Sequence, residues 1–168
     1  MSKLVPGWHV IYTKPKHEKK VHDRLTGINI KSFLPTVKKL KTWSDRRKYT
    51  DTPLFPSYLF IYLDDLGNYF RTLDTDGCLY YIKTGGVPSR ISDSVINSIM
   101  LSTSNYAEME VSTQKFEKGN QLVIKQGVLT GVQCEMVEYD QNQKLLIRVD
   151  LLNRNILVSV PEEDVMLF

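Results

Sequence analysis

The sequence predicts an α+β fold, with an N-terminal antiparallel sheet flanked by helices and a small C-terminal β-barrel after it. Three observations lead there. Strand and helix periodicities interleave through residues 1–104, short strand patterns alone fill the chain from Lys118, and the two parts carry opposite charge. Net charge is only +3, yet residues 1–104 hold 16 Lys/Arg against 9 Asp/Glu, while 105–168 hold 6 against 10. A basic module therefore precedes an acidic one.

Trp8–Lys14 alternates apolar and polar residues, as a strand with one buried face does, and Pro15 ends it. From Lys16 the apolar residues Val21, Leu25 and Ile28 recur at helical spacing, while Lys16, Lys19, Lys20 and Arg24 gather on another side. Gly27 and Asn29 suit the end of that helix. Lys31–Leu40 and Lys48–Leu54 read as strands around a mobile polar tip, Lys41–Arg47. Phe55–Leu63, the most apolar stretch, reads as the central strand, and Asn68–Leu73 as a short helix or loop. Cys78–Lys83 is a further strand, closed by Gly85–Gly86. Ser92 then caps a helix that carries Asp93 in its first turn and Val95, Ile96, Ile99 and Met100 on one side.

This first domain is expected over 1–104, with a polar, aperiodic linker over 105–117 and the barrel over 118–168. In the barrel, strands are expected at Gln121–Lys125, Val132–Tyr139, Lys144–Leu151, Asn155–Pro161 and Val165–Phe168, separated by turns such as Asp140–Gln143 and Asn153–Arg154.

The composition excludes several classes. No leader pattern opens the chain, and no apolar run nears the roughly 20 residues of a membrane span, so a cytoplasmic location is expected and no membrane partner. Cys78 and Cys134 stand far apart and read as buried apolar side chains. No GxGxxG, P-loop, GxSxG or HExxH occurs, and His9, His17 and His22 fall in one short stretch, so no enzyme, cofactor or metal is expected. Residues 14–48 hold 12 basic and 3 acidic residues, which suits phosphates or an acidic protein, or else a solvated lysine-rich face.

Three motifs in order, WHVIYTK before a basic helix, PLFPSYLFIYL (Pro53–Leu63) and GCLYYIKTGGVPSRIS (Gly77–Ser92), resemble the NGN domain of the NusG family of transcription elongation factors. VIKQGVLTG (Val123–Gly131) resembles the KOW signature of that family's second domain, with Gly127 and Gly131 as its turn glycines. It departs from the signature at Cys134, where a further glycine is common. The TKPKHEKKV opening, the WSDRRK tip and PLFPSYLF also resemble the specialised RfaH and UpxY antiterminators of surface-polysaccharide operons.

The resemblance implies a non-enzymatic factor that rides on RNA polymerase. An exposed apolar patch would dock on the clamp helices of the largest subunit, with Tyr12, Phe55, Tyr58 and Phe60 as anchors and Trp8, Tyr81 and Ile82 as neighbours. A core role stays open for Phe55 and Trp8. Tyr58 and Phe60 share a strand face. A loop at Asn68, Tyr69, Phe70 and Arg71 would touch the second-largest subunit, although it lacks the threonines that RfaH-like proteins carry there. Lys14, Lys16, Lys19, Lys20 and Arg24, extended by Arg46, Arg47 and Lys48, would meet phosphates of the non-template strand or upstream DNA. His17 and His22 would meet a base there or stay idle. The KOW domain would recruit termination factor Rho or the ribosome, and a monomer is expected. The competing reading is a ribosome-associated RNA-binding KOW protein.

Overall fold

A computed structural model describes residues 4–105, 109–115, 117, 119, 121–123, 133–139 and 142–159. By internal contacts the chain divides into two compact units, Met1–Thr36 with Pro53–Asp93, and Val37–Thr52 with Ser94–Phe168.

The first unit is built on a sheet in the order β2–β5–β1–β6, comprising β1 (Gly7–Thr13), β2 (Ser32–Phe33), β5 (Tyr58–Leu63) and β6 (Cys78–Tyr81), with β9 (Arg90–Ile91) also paired to β1. Its pairings are antiparallel, and β1 lies against β5 in a register that sets Val10 opposite Phe60 and Tyr12 opposite Tyr58. Successive side chains of a strand point to opposite faces. One face therefore carries Ile11, Leu59, Ile61 and Leu63, which pack with Tyr81 and with Val21 and Leu25 of helix α1 (Glu18–Gly27). Helix α1 ends as its sequence suggests, with Asn29 at a left-handed φ of 60°.

The expected central strand starts three residues late, at Tyr58. Phe55–Tyr58 forms a turn closed by a Tyr58 N–H to Phe55 carbonyl hydrogen bond of 3.1 Å, with Pro56 second and Ser57 third at a φ of 68°. Positive φ is costly for serine, so the surroundings must hold it. They do: the carboxylate of Glu18, itself buried, accepts the Ser57 N–H at 2.7 Å, and the Ser57 carbonyl accepts from Thr13 N–H at 2.8 Å. The expected strand Lys31–Leu40 is likewise split at Pro35, into β2 and β3 (Thr36–Thr42), because proline brings no N–H to a ladder.

Asn68–Arg71 lies inside helix α2 (Leu66–Leu73) rather than on an open loop, and the Asp65 carboxylate caps that helix by accepting Asn68 N–H at 2.7 Å. Past β6, the short strands β7 (Lys83–Thr84) and β8 (Val87–Pro88) flank Gly85 and Gly86, whose φ of 60° and 81° makes the tight hairpin turn that glycine accepts without strain. At Gly77, φ is 98° and an added Cβ would stand 2.7 Å from the Val21 side chain. Glycine there lets the chain pass against α1.

In the second unit, β3 pairs with β4 (Arg47–Pro53) as a two-stranded ribbon. Helix α3 (Asp93–Asn105) has Asp93 in its first turn, with Ile96 and Ile99 buried as the periodicity predicts. A five-stranded antiparallel sheet follows in the order β10–β14–β13–β12–β11, made of β10 (Met109–Ser112), β11 (Gln121–Val123), β12 (Gln133–Tyr139), β13 (Asn142–Val149) and β14 (Arg154–Val158). Its core holds Val137, Leu146 and Leu157. Part of the expected linker is thus an edge strand: Met109–Ser112 pairs along β14, where backbone bonds override a sequence with no alternation. The buried Glu135 carboxylate pairs with Arg148 and accepts Gly119 N–H at 3.2 Å. Asn153, expected in a turn, has a left-handed φ of 49°. Gly127, Gly131 and the expected strand Val165–Phe168 lie outside the described residues.

Candidate functional site

The face of the first sheet opposite α1 is a grid of rings set by register. Tyr58 on β5, Tyr12 on β1 and Tyr80 on β6 are direct cross-strand partners, and they form one row. Tyr12 meets Tyr58 edge to face at 5.3 Å between centroids, and stacks on Tyr80 at 5.2 Å with 15° between planes. Both geometries are favoured for aromatic pairs. Tyr12 and Tyr58 are partly exposed, and Tyr80 is 51% exposed. The next row is Val10, Phe60 and Phe33, and beyond it Trp8 pairs with Tyr62, edge to face at 5.6 Å. The Lys31 ammonium stands over both of these rings, at 5.2 and 5.3 Å.

The expected patch is therefore corrected at four positions. Phe60 is fully buried, enclosed in part by Phe33 and Phe55, each with its ring centroid 6.0 Å away. Phe55 and Trp8 are also buried. Tyr81 is buried because alternation turns it to the α1 face, where it stacks on Tyr69 at 4.5 Å and donates its hydroxyl hydrogen to the Tyr69 carbonyl at 3.2 Å. Burial, the largest cause, pushes its phenol well above the ordinary range. Ile82 remains partly exposed. The residue missed in the sequence is Tyr80. Parity over the expected strand Cys78–Lys83 could have found it, since Tyr80 and not Tyr81 stands two residues from Ile82.

Of the second-subunit candidates, Phe70 is 59% exposed, whereas Tyr69 is held against Tyr81. Arg71 donates to the Ile28 carbonyl at 2.9 Å, and Asn68 donates from its side chain to the Asp64 carboxylate at 2.7 Å. That bond is the main reason the Asp64 carboxyl lies below its ordinary range.

Lys14, Lys16, Lys19, Lys20 and Arg24 are all exposed, but only Lys19, Lys20 and Arg24 lie on α1, which starts at Glu18 and not at Lys16, where φ is 62°. Two of them are engaged by Asp76, with Arg24 at 2.9 Å and Lys14 at 3.5 Å. The Arg24 hydrogen bond and charge, and then Lys14, hold the Asp76 carboxyl below its usual range. His22 bonds Ser32 Oγ at 2.7 Å, and His17 bonds the Pro15 carbonyl at 3.0 Å. Arg46 and Arg47 are exposed on the β3–β4 ribbon. His9 is buried, with Nδ1 2.9 Å from the Gly7 carbonyl, beside a pocket of about 270 Å³ also lined by Tyr69, Lys83 and Arg90. Desolvation, with Arg90 adding to it, lowers its pKa below the ordinary 6.5 against an opposing pull from the Gly7 carbonyl.

Both thiols are pushed up to about 11 by burial, as suits apolar side chains. Among the described residues no cluster of His, Cys, Asp and Glu could hold a metal ion, and no helix is long and apolar enough to cross a membrane.

The fold and the site define a module with aromatic rings on one sheet face and, on the other, a helix that carries cations and is preceded by two more. Residues 6–100 match the family model described as NusG, transcription termination factor nusG. The chain belongs to the NusG family, whose members are transcription factors. Among solved structures it is similar to Thermotoga maritima NusG, at 16% identity and a TM-score of 0.49, covering 92% of this chain and 93% of that one. It is also similar to the MjSpt4:Spt5 complex in conformation A, at 12% identity and a TM-score of 0.33, covering 96% and 97%.

Proposed function

We propose that this protein is a transcription elongation and antitermination factor that grips RNA polymerase through the tyrosine row of its first sheet. The observation that carries this reading is the row itself: Tyr80, Tyr12 and Tyr58 touch across three strands while keeping part of their surface open to water. Tyrosine suits such a place, because it offers a broad apolar ring and a hydroxyl at little entropic cost. The partner is the clamp-helix pair of the largest polymerase subunit. Ile82 borders the patch, while Phe60, with Phe55 packed against it, flanks it in the next row, Trp8 lies one row further along the same face, and Tyr81 anchors β6 to the core.

Around this grip, Phe70, with Asn68, Tyr69 and Arg71 shaping its helix, meets the second-largest subunit. Bridging both subunits favours the closed, unpaused clamp by a shift of population. Lys14, Lys16, Lys19, Lys20 and Arg24 position the non-template strand or upstream duplex by its phosphates. The C-terminal module, whose sequence resembles the KOW signature at Gly127 and Gly131, recruits Rho or the ribosome. The motifs shared with RfaH and UpxY favour service on surface-polysaccharide operons, in the cytoplasm and as a monomer.

Polymerase capture tests the grip. Tyr58→Ala with Tyr80→Ala should weaken binding by about 30-fold or more, as loss of central aromatic anchors does. Circular dichroism should stay that of the unaltered protein. Capture at the original affinity by the folded variant removes the tyrosine row from the account.

A further inference from the structure

The first unit holds a pocket of about 270 Å³ that neither the tyrosine row nor the cations around α1 use. His9 and Arg90 are direct partners in the β1–β9 register, and His9 shares its strand face with Ile11, so the pocket lies on the helical face of the sheet. Helix α2 supplies Leu66 and Tyr69, and the β7–β8 hairpin supplies Lys83 and Val87. Tyr69 is fixed there by its stack on Tyr81. Much of the wall is apolar, whereas its charges are of one sign, since Lys83 and Arg90 line it and no carboxylate does so among the described residues. Neither cation enters an ion pair among those residues. The Arg90 guanidinium lies against the Gly7 backbone, where a Cβ would stand 2.6 Å from its Nε. Buried His9 donates from Nδ1 to the Gly7 carbonyl at 2.9 Å, which leaves Nε2 as its remaining polar atom.

We propose that this pocket binds a small organic acid, with its carboxylate on Arg90 and Lys83 and a ring or short apolar chain against Leu66, Tyr69 and Val87. Two cations without a countercharge make a place that an anion stabilises, and a guanidinium fork matches a carboxylate with two parallel hydrogen bonds. Volume limits the apolar body: a cavity of about 150 Å³ takes benzene, so this one holds a ring with its carboxylate and little more. Small-molecule sites are built in this way, from a mostly apolar wall and a few convergent polar groups. The inference does not depend on the grip proposed above, because the pocket and the tyrosine row lie on opposite faces of the sheet.

Benzoate, benzyl alcohol and inorganic phosphate separate the parts of this site, as a ring with an acid, a ring without charge and an anion without a ring. Of the three histidines only His9 lines the pocket, so its ring resonance in an NMR titration of the full chain reports occupancy. Benzoate should shift it with a Kd on the order of 1 mM, as suits so small a ligand, and should leave His17 and His22 in place. Lys83→Gln with Arg90→Gln, both at exposed positions, should weaken benzoate about tenfold or more. Benzyl alcohol should bind the unaltered protein about tenfold weaker than benzoate does, and bind the variant no worse than the unaltered protein. No shift of His9 at about 10 mM benzoate, equal binding of benzoate and benzyl alcohol, undiminished benzoate binding by the variant, or a matching shift from phosphate alone each overturns the proposal.

Discussion

The two faces of the first sheet come from the same three strands and have opposite fates. On one, Ile11, Leu59, Ile61 and Leu63 close against Val21 and Leu25, so each side chain is held by neighbours on its own chain. On the other, Val10 and Phe60 are sealed, but the row at the strand ends, Tyr80, Tyr12 and Tyr58, stays partly open. The difference teaches that an aromatic strand is two surfaces with separate tasks: residues one step apart serve stability on one side and display on the other.

Substitutions should break or sharpen this contrast. The largest effect is expected at Ile61→Ala on the closed face, which leaves a cavity and should cost about 2–5 kcal/mol in chemical denaturation. Tyr58→Ala on the open face should change stability by far less. If the two cost the same, the row is core and not display. Next is Glu18→Ala, which orphans the Ser57 N–H in a turn with positive φ, and should cost about 1.5–3 kcal/mol while also loosening Tyr58 beside it. Retained stability would mean that the turn holds itself.

A smaller effect comes from His9, on the closed face. Its pKa is lowered in the folded state, so the unfolded chain takes up the proton first as pH falls. Its contribution to stability is therefore complete above 6.5 and is lost as pH drops from there toward the lowered folded value. Denaturation midpoints of His9→Gln should vary less over that window than those of the unaltered protein. The smallest effect is at the surface: Asp76→Asn removes the negative charge facing Lys14 and Arg24, while the Asp76 carbonyl keeps its hydrogen bond from Arg24 at 2.6 Å, and it should strengthen DNA retention about two- to fivefold at low salt and not at high salt. No change at low salt would detach those two side chains from the DNA face.

Much of this was legible along the chain. The alternation of Trp8–Lys14, the helical spacing of Val21 and Leu25, the Asn29 helix end and the Gly85–Gly86 turn are local patterns, and each element formed where its own residues favour it. The ordered motifs around PLFPSYLF were enough to point to the family. The two misplaced rings differ in cause. Tyr81 sits one step out of parity with the open face, which alternation along the strand already implies, whereas Phe60 shares that face with Tyr58 and is closed over by Phe33 and Phe55 from separate segments.

What the sequence determined by itself is most elements of the first domain, the uneven charge and the family, since these rest on periodicity, composition and contiguous motifs. Only the tertiary structure decided which rings are open, that Glu18 holds the Ser57 turn from 39 residues away, and that Met109–Ser112 joins a sheet as an edge strand. Those outcomes depend on pairings between distant segments. A hydrogen bond or a shared face between such segments leaves no periodic trace in either one.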